Sequence, residues 1–97
     1  MLVAFITGDG NYTRLHYSTE KQNLLAITLG KVIIRYPHLV RVSKHAAINY
    51  DFVANWEQIT KCLFITLNLM GSRTVIKVSR RNEVQVKKEL TIQNAML

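Results

Sequence analysis

The sequence predicts an all-β domain of short, mainly antiparallel strands with one short helix. Three observations carry that expectation. Apolar residues alternate along CLFITLNL, turn-forming stretches interrupt the chain repeatedly, and a 3.6-like apolar period stands out at LGKVIIRY.

Taken in order, LVAFIT at 2–7 is a short apolar run closed by GDGN at 8–11, whose glycines and asparagine suit turns that need positive φ. YTRLHY at 12–17 alternates, with Leu15 and Tyr17 on one face and Arg14 and His16 on the other. STEKQN at 18–23 forms a second turn before LLAIT at 24–28. Leu29, Val32, Ile33 and Tyr36 then mark a helix of about two turns. Pro37 ends it, because the residue before a proline is pushed out of the α region. LVRV at 39–42 and AAIN are strands, followed by a turn at Tyr50–Asp51. FVANWEQI, CLFITLNL and TVIKV add three more, with MGSR at 70–73 joining the last two. In the middle one Leu63, Ile65, Leu67 and Leu69 face one side, and Thr66 and Asn68 the other. Phe5, Phe52, Trp56 and Phe64 lie in apolar runs and are expected in the core. NEVQVKKEL reads as either a short helix or a frayed strand.

A length of 97 residues predicts a single domain, 1–97, with a modest core. Cys62 is the sole cysteine, which excludes an intrachain disulfide and a cysteine cluster for zinc. His16, His38 and His45 show no metal-ligand spacing with acids, the six acidic residues offer no carboxylate pair, and GDGN is a turn rather than a phosphate loop. No enzyme activity, metal or cofactor is expected. No basic region precedes the first apolar run, and no apolar stretch reaches the roughly 18 residues of a membrane helix. A cytoplasmic setting without a membrane partner is expected.

Charge points to a partner. Thirteen basic residues against six acidic ones give a net charge of +7, a surplus that favours anions. It is also unevenly placed. No acid occurs from Lys21 to Tyr50, a stretch that contains RVSKHAAINY with Arg41, Lys44 and His45. A second basic group, Arg73, Lys77, Arg80, Arg81, Lys87 and Lys88, is diluted up to Lys88 by Glu83 alone. Arg14 adds a cation to the polar face of its strand. Both groups fall at strand ends on predicted loops, where rigid sheets commonly carry binding residues. Ala46 and Ala47 are small enough either to admit a close ligand or to pack beneath a turn.

The order VAFITGDGNYTRLHY, LVRVSKHAAINYDFV and TVIKVSRRNEVQVKKEL resembles the LytTR family of DNA-binding domains. The family's "GNYVR", "FxRVHRSYIVN" and "pvSRr" blocks occur in this order, and the resemblance spans roughly residues 3–90. It implies an elongated β fold of small antiparallel sheets, reading double-stranded DNA through loops that enter successive major grooves. It also implies bacterial transcription regulation, commonly as the effector of a two-component response regulator, although no receiver domain is expected within 1–97. Carried over by position, Asn11 and Tyr12 fall in the first contact loop, Arg41, Lys44 and Asn49 in the second, and Arg80 and Arg81 in the "SRr" block. Ser43 replaces the family's usual histidine, and HAAI replaces "SYIV". The implied partners are paired direct repeats of DNA and an upstream receiver or sensor, the domain being monomeric alone or weakly dimeric on DNA. Two expectations compete: a protein-interaction module that pairs an exposed sheet edge with a partner strand, its basic surface being incidental, and RNA or single-strand binding, which normally needs aromatics stacked on an open face.

Overall fold

The computed structural model describes residues 2–19 and 21–95. In chain order the elements are β1 (Val3–Asp9), β2 (Tyr12–Tyr17), β3 (Gln22–Leu25), α1 (Leu29–Arg35), β4 (Leu39–Ser43), β5 (Ala46–Asn49), a one-turn 3-10 helix (Tyr50–Phe52), β6 (Val53–Ile59), β7 (Cys62–Leu69), β8 (Ser72–Val78) and α2 (Arg80–Ala95). The strands form two antiparallel sheets, ordered β3-β2-β1-β5-β4 and β6-β7-β8. A mainly antiparallel β fold is therefore what the chain adopts. The segment that read as helix or frayed strand is a 16-residue helix.

The layers follow from the alternation. Val3, Ile6, Leu15, Leu39 and Ala47 on one face of the larger sheet pack against Leu29 and Val32 of α1. On the other face Ala4, Phe5, Val42, Ala46 and Ile48 meet Leu63, Ile65, Leu67 and Leu69 of β7, together with Val86 and Leu90 of α2. The larger sheet is thus covered on both sides at its centre, which explains why all four residues of β5 are buried. Ala46 and Ala47 are small because two layers close on them.

Three aromatic expectations are corrected. Phe52, at the end of the 3-10 helix, is only half-buried against the core, and so is Trp56, since β6 is an edge strand that packs its ring on the core from one side. Phe64 is not in the core. It alternates with the buried Leu63 and Ile65, so it points to the opposite face of the smaller sheet, between Glu57 and Lys77.

Close approaches set the local geometry. A Cβ on Gly8 would lie 3.1 Å from the Leu29 Cβ, so glycine lets α1 begin against the end of β1. Thr13, fully buried, donates its hydroxyl to the Ile27 carbonyl at 2.6 Å and fixes the approach to α1. Thr60, in the two-residue connection between β6 and β7, has a φ of 59°, a left-handed conformation that a β-branched residue adopts at a cost.

His16 stacks on Phe5 with ring centroids 4.0 Å apart and shares a 3.0 Å hydrogen bond with the Thr7 hydroxyl. Burial first, and then the Arg14 guanidinium, lowers its pKa below 6.5. The folded state therefore favours neutral imidazole. Below about pH 6.5 the unfolded chain binds the extra proton, so this contribution is complete above that value and is lost as pH falls through the lowered pKa. Urea titrations at pH 7.5 and 5.5 should show wild type losing more stability on acidification than His16→Gln. An equal loss would remove His16 as the source.

Candidate nucleic-acid interface

β1 runs out at Asp9 where its antiparallel partner β5 begins at Ala46, so the β1–β2 hairpin tip and the β4–β5 turn share one end of the larger sheet. The Gly8 amide donates to the His45 carbonyl at 2.8 Å and ties the two together. The start of α2 joins them. The Ser79 amide donates to the Val42 carbonyl at 2.9 Å, and the Asn82 Nδ2 donates to the Arg41 carbonyl at 3.3 Å. Three segments far apart in sequence thus meet at one end of the molecule.

The opening turn of α2 serves two purposes. Ser79 precedes the helix and accepts the Asn82 amide at its carbonyl (3.0 Å), while its hydroxyl donates to the Asn82 Oδ1 at 2.6 Å. In an ordinary capping box the third helical side chain turns back to the amide of the capping residue. Here that amide is committed to β4, and Asn82 instead bridges from Ser79 to Arg41. Helix capping and docking of the helix on the sheet are one network.

The structure places the residues singled out by sequence as follows. Asn11 and Tyr12 are exposed at the hairpin tip, and Tyr12 and Arg14 line a depression there with Gly8 and Asp9. Arg14 donates to the Gln22 Oε1 at 3.2 Å along the β2–β3 pair. Arg41 folds over its own turn, its Nε donating to the Ser43 carbonyl at 3.2 Å and its Nη2 to the Lys44 carbonyl at 2.9 Å. These bonds hold the turn in shape and keep the guanidinium at the surface. Lys44 and His45 are exposed, and the His45 amide donates to the Ser43 hydroxyl at 3.2 Å. Arg80 and Arg81 are exposed, but they belong to the first turn of α2 and not to a loop. Asn49 lies elsewhere: it is 6% exposed, and its Oδ1 accepts the Asp51 amide at 3.0 Å to cap the 3-10 helix. Its place is structural.

Arg41, Lys44 and Arg81 line one groove of about 590 Å3, with Ser43, Ser79 and Asn82 between them. Arg80, one residue earlier and about 100° round the helix, points into a separate depression with Lys61 and Lys77. Sequence reasoning did not single out Lys61 or Lys77 as site residues. The two-residue turn at Thr60–Lys61, and the outward position of Lys77 between buried Ile76 and Val78, were signals that could have found them.

Among the described residues no cluster of histidine, cysteine, aspartate or glutamate side chains could hold a metal ion, and no helix is long and apolar enough to cross a membrane. Compared with protein-family models, with curated proteins and with solved structures, the chain matches none.

Proposed function

We propose that the chain is a LytTR-type, sequence-specific binder of double-stranded DNA that acts in bacterial transcription regulation in the cytoplasm, on paired direct repeats and with an upstream receiver or sensor. One observation carries the reading most. Arg41 and Lys44 stand in one groove with Arg81, joined through direct hydrogen bonds between β4 and the start of α2. The hairpin tip with Asn11 and Tyr12 adds a third element at the same end. The three blocks that resemble the family are the three that converge.

The chemistry suits a duplex. Lysine and arginine neutralise phosphates and release counterions, which supplies sequence-independent affinity. An arginine held rigidly can also present its fork to O6 and N7 of a guanine. Arg81 is the candidate for that role, because α2 is pinned to β4 on either side of it through Ser79 and Asn82. Lys44, on a turn, is a candidate for phosphate.

Paired variants test the assignment. Arg81→Ala should lose about 1–3 kcal/mol on a preferred duplex selected from a random pool, and much less on a scrambled one. Lys44→Ala should weaken both duplexes by similar factors and flatten the salt slope by about one unit. Equal losses on both duplexes for Arg81→Ala would leave it a phosphate contact, with specificity lying elsewhere. The alternative, pairing with a partner strand, draws on edge strand β3, where Leu24 is 52% exposed. Such pairing is nearly indifferent to salt.

A further inference from the structure

We infer that the depression holding Lys61, Lys77 and Arg80 is a second phosphodiester site, which clamps the nucleic-acid backbone beside the groove of Arg41, Lys44 and Arg81. The inference rests on the DNA-binding reading and extends the contact surface onto the smaller sheet.

The depression, of about 320 Å3, draws its cations from three elements: Lys61 from the β6–β7 turn, Lys77 from β8 and Arg80 from α2. Ser43 and Ser79 line both this depression and the Arg81 groove, so a ridge of two small hydroxyl residues separates two basic basins. The Ser79 hydroxyl proton is directed to Asn82. The Ser43 oxygen accepts from the His45 amide, which leaves its proton to donate to an anion. Among the described residues one acid lies on the rim: Glu83, whose Oε1 is occupied by the Gln58 amide at 3.0 Å, while Lys87 in turn donates to Gln58 at 3.2 Å. Glu83 is thereby held toward β6 by a bridge whose far end is cationic. Three cations facing one acid leave a positive basin with donors spread around it, the chemistry of a phosphodiester and not of a carboxylate pair or a metal.

Cys62 also lines this depression and is the only cysteine in the chain, so the natural protein carries its own reporter. The probes are a duplex about three helical turns long and inorganic phosphate at matched ionic strength. Binding of the duplex is first measured independently by titration; if it does not bind, the DNA reading itself fails. Given binding, the duplex should slow modification of Cys62 by a small neutral thiol reagent several-fold, whereas inorganic phosphate should not. Lys61→Gln/Lys77→Gln should keep binding but lower the log–log salt slope by about 1.8, two phosphates at about 0.9 each, and abolish the protection of Cys62. Intact duplex binding with unprotected Cys62 and an unchanged slope in the double variant overturns the clamp and leaves the Arg81 groove standing. Equal protection by inorganic phosphate overturns it as well, making the basin a site for small anions.

Discussion

Raising monovalent salt from about 50 to about 200 mM should weaken duplex binding by about 250- to 1,000-fold, the outcome of four to six phosphate contacts and a log–log slope near −4 to −5. The cations at the converging end fit that number: Arg41, Lys44 and Arg81 in one groove, and Lys61, Lys77 and Arg80 in the neighbouring depression. Six cations do not guarantee six contacts, since Arg41 has two donors engaged by its own turn. Most of the +7 charge would otherwise act only as a diffuse attraction, screened beyond about 8 Å at physiological salt. A steep slope therefore reports close phosphate contacts more than net charge. A binding titration with a slope near zero would remove duplex DNA as the natural ligand and return the sheet-edge reading.

Ile65→Ala should cost about 2–5 kcal/mol of stability, by lost burial plus the cavity left behind. Ile65 is fully buried at the centre of β7, between Trp56 of β6 and Ile76 of β8, facing the larger sheet. A domain of this size has about 5–15 kcal/mol in total, so the loss is a large share of it. The neighbouring Phe64→Ala is the control. Phe64 is the larger side chain but stands on the outer face, and its truncation should cost clearly less than that of Ile65. Urea unfolding of both variants decides it, with the m-value showing that two-state behaviour persists. A Phe64 loss equal to that of Ile65 would mean that the two faces of β7 have been assigned wrongly.

The β7 pair also shows how far the sequence could be read. Alternation along CLFITLNL placed Leu63, Ile65, Leu67 and Leu69 on one face, as the structure has them. The same alternation sends Phe64 the other way, and grouping it with the core aromatics put its hydrophobicity ahead of its position. α2 was obscured for the opposite reason. Val84 and Val86 are two residues apart and imitate a strand, whereas the helix buries Val86 and Leu90 and leaves Val84 82% exposed. The basic residues of the candidate site were visible as blocks, but their grouping was not. Nothing in the local pattern shows that Ser79 docks on Val42, that Arg80 and Arg81 diverge into different basins, or that Asn49 turns inward to cap. Those are long-range packing outcomes.

The bridge from Asn82 to Arg41 has a consequence in time. During synthesis strand β4 and the turn after it, which bear Arg41 and Lys44, leave the ribosome well ahead of α2, with the forty residues from Arg41 to Arg81 still to come. At about 5–20 residues per second that interval lasts roughly 2–8 s. Throughout it, the cations already made stand without Arg80, Arg81 and the helix that docks on β4. On the DNA-binding proposal, a nascent chain stalled inside β8 would then meet nucleic acid as a weak, indiscriminate polycation, and selectivity would arrive only when the helix closes onto β4.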